Sequence, residues 1–224
     1  MTAPAAGGRV RLKVCCIGSR AEAAAAVRCG ADALGFVAPM PSGPGAMREA
    51  AIADLVPHVP PPVATFLLTP RTDAAAVVAQ ARRTGVNTLQ LVDFVGQDVL
   101  ERLRVALPAV RLVQVVHVID DDSVREAEAV APHVDALLLD SGNPRLAVKE
   151  LGGTGRVHDW ALSRAIRDNV DRPVFLAGGL HAGNVADAVA AVRPFGVDVC
   201  SGVRTGGRLD AAKLDAFARA LAAA

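Results

Sequence analysis

The feature that most constrains the fold is a regular alternation along the chain. Runs rich in β-branched residues and leucine recur eight times, at 11–16, 33–37, 63–68, 88–92, 111–118, 136–140, 173–178 and 197–202. Alanine-rich amphipathic stretches fill the spaces between and after them, at 20–29, 47–57, 72–84, 97–106, 122–131, 159–169, 183–193 and 210–223. Ser19, Thr72 and Asp121 stand where helix N-caps are expected. The strand runs are apolar throughout, the pattern of strands covered on both faces. Eight such units in 224 residues predict an α/β fold, a single (β/α)8 barrel. A doubly wound open sheet is the competing arrangement. It normally carries a glycine-rich fingerprint after the first strand, and "CCIGSRAEA" has one glycine there. No linker divides the chain, so residues 11–224 are expected to form one barrel domain behind a flexible segment at 1–10.

Composition removes several function classes. The net charge is +1 and aromatic residues are 3% of the chain, with no tyrosine. That offers neither a basic surface for nucleic acid nor stacking platforms for its bases. No apolar run reaches the roughly 18 residues of a membrane span, and "MTAPAAGGRV" has no secretory pattern. The cysteines, 15, 16, 29 and 200, form no CxxC pair and have no histidine at ligand spacing, so no metal is expected. Reduced thiols and a cytoplasmic setting follow as the expectation.

In a barrel the C-terminal strand ends carry the chemistry. The first strand ends in Cys15-Cys16. Alternation puts Lys13 and Cys15 on one face and Cys16 on the other. A lysine does not belong against the outer helices, so Lys13 and Cys15 are placed inside and Cys16 outside. Cys15 is either a small buried hydrophobe or a reactive thiol. Asp140 closes the run Leu137-Leu138-Leu139, and the long segment after it weakens a helix-cap role. Cys15 and Asp140 could face each other across the mouth as an acid and a base. His117 has the parity of Val113 and Val115 and would point the same way. Asp159 is the expected cap of the helix beginning at Trp160.

The last two strands end in glycine-rich turns, "LAGGLHAGNV" (176–185) and "SGVRTGG" (201–207). Glycines let backbone N–H groups approach an anion, and this position is the common phosphate site of barrels. Gly178, Gly179, Ser201 and Gly202 are the candidates.

Taken in order, these segments resemble the phosphoribosylanthranilate isomerase family of tryptophan biosynthesis, over about residues 11–223. "KVCCIGS" resembles K-[IV]-C-G-[IL]-T, and "GADALGFV" (30–37) resembles G-A-D-x-[IL]-G-F. "LQLVD" (89–93) resembles V-Q-L-H-G. "VDALLLDS" (134–141) matches the strand that ends in the family's aspartate. "GGTGRVHDW" (152–160) resembles G-G-T-G-x-x-[FH]-[DN]-W, and "LAGGLHAGNV" resembles L-A-G-G-L-x-x-x-N-[VI]. "FGVDVCSGVR" (195–204) resembles G-[VL]-D-V-[SN]-S-G-V-E. The resemblance implies an Amadori rearrangement of N-(5-phosphoribosyl)anthranilate, an aminoaldose converted to an aminoketose. It implies Cys15 as general base and Asp140 as general acid, and phosphate held at Gly178, Gly179, Ser201 and Gly202. Lys13, Gln90, Gly153 and Thr154 are the implied substrate-binding positions. No cofactor or metal is implied. The partner is a small phosphoribosyl substrate, with neither nucleic acid nor membrane, and the assembly is a monomer or homodimer.

Four positions depart from the family pattern. Cys16 replaces a glycine. The loop after the second strand, which carries S-x-R-x-[IV] in the family, reads "PSGPGAM" (41–47) without arginine, the nearest being Arg48. Val92 stands where a histidine is expected. Arg204 replaces a glutamate and would add a cation near the phosphate turn. Three readings follow: the family isomerase, a divergent paralogue acting on another phosphoribosylated amine, or a non-catalytic barrel that binds a phosphorylated ligand.

Overall fold

The structure, a computed structural model, describes residues 8–41, 43–143, 146, 149, 151 and 157–224. Eight parallel strands close into a barrel: β1 (Arg11–Val14), β2 (Ala33–Val37), β3 (Ala64–Thr69), β4 (Thr88–Leu91), β5 (Arg111–His117), β6 (Ala136–Asp140), β7 (Val174–Leu176) and β8 (Gly196–Val199), with β8 paired to β1. Helices follow the strands: α1 (Arg20–Arg28), α2 (Glu49–Leu55), α3 (Ala74–Thr84), α4 (Gln97–Ala106), α5 (Asp122–Val130), α6 (Trp160–Asn169), α7 (Val185–Val192) and α8 (Ala211–Ala222). The expected (β/α)8 barrel is the observed fold. No described helix is long and apolar enough to cross a membrane. Of the segment read as flexible, residues 1–7 lie outside the described residues, and Arg9 pairs with Asp32 at 2.6 Å.

Each strand buries both faces for a different reason. Outward residues such as Leu12, Val14, Leu34, Phe36, Leu67, Leu89 and Leu112 join the helices in one large apolar cluster. Inward residues form a second cluster that fills the barrel. Its lower part is aromatic. Phe66 and Phe175 meet edge to face with centroids 6.0 Å apart, and Phe175 and Phe195 do so at 5.3 Å. Such T-shaped pairs suit the ring quadrupole and fill volume without polar atoms.

Local chemistry sets the helix starts. Ser19 accepts from the Glu22 N–H and Asp159 from the Ala161 N–H, both as expected. Two expected caps differ. At α3 the cap is Asp73 rather than Thr72; its carboxylate accepts the Ala76 N–H at 2.8 Å and adds a favourable charge at the helix start. Asp121 already has helical backbone angles, which removes the extended geometry a cap needs, and it makes no capping bond. Ser123 takes over the start of α5: its hydroxyl accepts from the Ile119 N–H and donates to the His117 carbonyl.

Strand ends also moved. β1 stops at Val14, and β8 stops at Val199, followed by a 3-10 turn at Ser201–Val203. A small hairpin not expected from the sequence, β9 (Arg204–Thr205) with β10 (Arg208–Leu209), closes through Gly206-Gly207. Both glycines have positive φ, as a two-residue hairpin turn demands.

Candidate active site

The barrel opens at its C-terminal end into a pocket enclosing about 620 Å³ of empty space that merges with solvent. Cys15 and Cys16 from the end of β1, Gln90 from β4, Asp140 from β6, Asp198 and Cys200 from β8, and the turns at Gly178-Gly179 and Ser201 all line it. Cys15 and Asp140 therefore share one cavity.

Beneath Cys15 lies a buried ion pair. Lys13 has no exposed surface and its Nζ is 2.8 Å from Asp198 Oδ2. The space for it comes from Gly35, where a Cβ would stand 2.9 Å from Cys15 Sγ and 3.2 Å from Lys13 Nζ. Phe66 offers its ring face 5.3 Å from the ammonium, a cation–π contact. Burial works against the lysine's charge, yet Asp198, with a further contribution from Cys15, holds its pKa above the ordinary value. Lys13 thus lies under the pocket rather than among its walls. Its observed partner is Asp198, whose other oxygen, Oδ1, has no partner among the described residues. The same holds for Oε1 of Gln90. Both residues line the pocket, so both offer free acceptors there.

Asp140 lines the same pocket from β6, three strands from β1 round the barrel. Burial pushes its carboxyl up from the ordinary range and Asp198 adds to that, while the Ser141 N–H at 2.7 Å, His117 and Lys13 oppose it. His117 points inward as its parity required. It is buried, stands in register with Asp140, and its Nε2 lies 3.0 Å from the carbonyl of Val92. An imidazole from β5 therefore contacts the residue at which the family pattern places a histidine on β4.

The glycine turns pack against each other. Gly178 has φ +83°, and a Cβ on it would lie 2.9 Å from His158 Nδ1 and 3.1 Å from the Ser141 side chain. Asn184 fixes this turn, donating to the Gly179 carbonyl and accepting from the His181 N–H. Gly202 is not a wall of the pocket. Its Cβ would sit 2.0 Å from the Leu180 carbonyl oxygen, so only glycine lets the Ser201 turn dock on the Gly178-Gly179 turn. Gly153 and Thr154 lie outside the described residues.

Two expectations are corrected. Cys16 does not pack against the outer helices. Strand alternation ends at Val14, and Cys16 takes φ +62°, which swings its side chain into the mouth against Cys200 and Pro44. That left-handed angle is also the physical reason a glycine suits the position. Arg204 adjoins the Ser201 turn but adds no free cation there. Its guanidinium folds back to donate to the carbonyls of Cys15, Cys16 and Gly207 and pairs with Glu22 at 3.3 Å. Glu22 also accepts from the N–H groups of Gly18 and Leu209, and these bonds with Arg204 hold its pKa down against burial. No arginine or lysine occurs among the described residues lining the pocket, and Arg48 is exposed at the start of α2.

The sequence reading passed over Asp198 and Cys200 as site residues. A signal for both was present. An aspartate in the middle of "VDVC" breaks an otherwise apolar run, and parity carries it and Cys200 inward together.

The family model for N-(5'phosphoribosyl)anthranilate (PRA) isomerase matches residues 12–220. The chain belongs to that family. It is 40% identical to N-(5'-phosphoribosyl)anthranilate isomerase of Halobacterium salinarum, covering 95% of this chain and 96% of the relative. A crystal structure of phosphoribosyl anthranilate isomerase from Thermotoga maritima superposes with a TM-score of 0.80 at 28% identity, over 96% of this chain and 100% of that one. A second isomerase structure, in complex with reduced 1-(o-carboxyphenylamino)-1-deoxyribulose 5-phosphate, superposes at 0.77 and 26% identity, over 96% and 100%. The PRA isomerase fold is the barrel that the alternating runs of the sequence predict.

Proposed function

We propose that the chain catalyses the Amadori rearrangement of N-(5'-phosphoribosyl)anthranilate to the 1-deoxyribulose 5-phosphate product. Asp140 acts as general acid and Cys15 as general base. The observation that carries this reading is their presence on the walls of one pocket, with the Asp140 carboxyl pushed up by burial. An acid must hold its proton near neutral pH, and a raised carboxyl does so over a wider range than an ordinary one. Asp140 protonates the furanose ring oxygen, the C1′–O bond breaks, and the anthranilate nitrogen lone pair forms the Schiff base. Cys15 as thiolate removes the C2′ proton, giving the enolamine, which tautomerises to the ketone. Electrons balance within the substrate, C1′ being reduced as C2′ is oxidised, and proton exchange with water returns Asp140 to its acid and Cys15 to its thiolate. Gln90 and the free oxygen of Asp198 provide acceptors for the sugar hydroxyls. The Gly178-Gly179 and Ser201 turns supply backbone N–H groups for the phosphate. Lys13 holds Asp198 in place from below, and its charge opposes the burial that pushes that carboxyl up. The cytoplasm, where thiols stay reduced, is the setting this chemistry needs.

The loop at 41–47, which lacks the arginine of the family pattern, favours a second reading, a phosphoribosyl amine whose aglycone carries no carboxylate. Arginine is the usual bidentate partner of a carboxylate.

The test follows the fluorescence loss of freshly generated phosphoribosylanthranilate. Wild-type protein is expected to turn it over, with Cys15→Ala and Asp140→Ala each reducing kcat at least 100-fold. The rate should fall as pH rises through the Asp140 titration, because the acid is then lost. No turnover by folded wild-type protein refutes the assignment and directs attention to amines without the carboxylate.

A further inference from the structure

A family departure, Cys16 in place of glycine, meets Cys200 in space. Cys200 stands where the family pattern has serine or asparagine, and the two sulfurs lie 2.6 Å apart across 184 positions of sequence. Both residues line the pocket. The backbones that carry them run side by side, with the Cys15 N–H donating to the Val199 carbonyl at 2.9 Å. The remaining cysteine outside the mouth, Cys29, is at the far end of α1.

We propose that Cys16 and Cys200 form a redox modification site, in which a low-molecular-weight disulfide oxidises the pair to a reversible cross-link that fastens the end of β1 to the end of β8 and slows turnover. Cys200 is the more exposed of the two. Its hydrogen bond with Cys16, and then the Arg204 guanidinium, push its pKa down against burial, while hydrogen bonds to Cys15 and Cys200 push Cys16 up. Cys200 is therefore the first nucleophile. Its thiolate attacks one sulfur of the reagent, the reagent's S–S bond breaks, and one thiolate leaves. The Cys16 thiolate then attacks the Cys200 sulfur of the mixed disulfide and expels the second thiolate. The two protein thiols are oxidised, the reagent is reduced to two thiols, and the two protons pass to them.

The cross-link alters the mouth at two points. Cys16 is the residue after Cys15, and Cys200 is the residue before the Ser201 turn. A displacement of about 1 Å at a reacting group costs on the order of 100-fold, so a loss of at least about tenfold in turnover is expected. This effect on turnover rests on the proposed isomerase reading; the cross-link itself does not.

Purified full-length protein, first fully reduced, is incubated with glutathione disulfide, digested without reductant and mapped by mass spectrometry. The expected result is a peptide pair joining the Cys16 segment to the Cys200 segment, in wild type and in Cys15→Ser. The pair should be absent in Cys16→Gly, a change the φ of +62° accommodates. Wild-type turnover should fall and return with dithiothreitol, whereas turnover of Cys200→Ser, which lacks the first nucleophile, should not change on oxidation. Absence of the cross-link in folded wild type overturns the proposal. Equal loss of turnover in Cys200→Ser overturns it by placing the sensitivity outside the pair, and a cross-link that leaves turnover unchanged overturns its control of the site. If reduced wild type shows no turnover at all, the isomerase reading fails while the mapping still tests the cross-link.

Discussion

Replacing Asp198 by alanine strands a charge inside the barrel. Lys13 is wholly buried, and its ammonium has Asp198 as its ion-pair partner at 2.8 Å. Without the carboxylate, the folded protein keeps Lys13 by releasing its proton. A lysine of ordinary pKa 10.5 is three and a half units from neutrality at pH 7. At about 1.36 kcal/mol per unit, neutralising it costs about 4.8 kcal/mol, and removing one partner of a buried pair typically costs about 3–5 kcal/mol. The two figures agree, so a destabilisation of about 5 kcal/mol is expected. Its pH dependence has a definite sign. In the variant, the unfolded chain carries one more proton than the folded one below the unfolded pKa. Stability therefore rises with pH by about 1.36 kcal/mol per unit, and near pH 9 the cost should shrink to about 2 kcal/mol. Urea unfolding of wild type and Asp198→Ala at pH 7 and 9 measures both quantities. The double variant Lys13→Met/Asp198→Leu, which removes both charges, should recover most of the loss. A cost under about 1 kcal/mol at pH 7, or one that does not change with pH, would refute the account of this pair.

Two further outcomes follow from particular contacts. His158 is held neutral by burial, its pKa lowered to about 4, with Nε2 2.7 Å from the Ser163 hydroxyl. Between pH 6.5 and 4 the unfolded chain gains a proton that the folded chain refuses, so stability should decline by up to about 3 kcal/mol as pH falls. Acid titration of the unfolding midpoint should show this limb in wild type and lose it in His158→Phe. Gly202→Ala places a Cβ 2.0 Å from a backbone carbonyl that cannot rotate away. The Gly178-Gly179 and Ser201 turns must then separate, at a cost of about 1–3 kcal/mol. KM should rise more than kcat falls, and equal KM values for variant and wild type would contradict the docking role of this glycine.

The sequence alone determined the barrel and much of its mouth. Eight apolar runs in alternation with amphipathic stretches leave few ways to cover every strand on both faces. Strand parity is a property of the extended chain, so it placed Lys13, Cys15 and His117 inside correctly. It failed at Cys16 because that rule holds only while the backbone stays extended, and the strand ends two residues earlier with a left-handed turn following. The tertiary structure decided the partnerships. Lys13 with Asp198, Cys16 with Cys200 and Arg204 with Glu22 lie more than 180 residues apart in each case, joined because β8 closes against β1. In the sequence Arg204 reads as an added cation near the last glycine-rich turn. Closure of the barrel instead brought Glu22 and two strand-end carbonyls within its reach, and a guanidinium with several fixed donors is satisfied by whichever acceptors the fold brings to it.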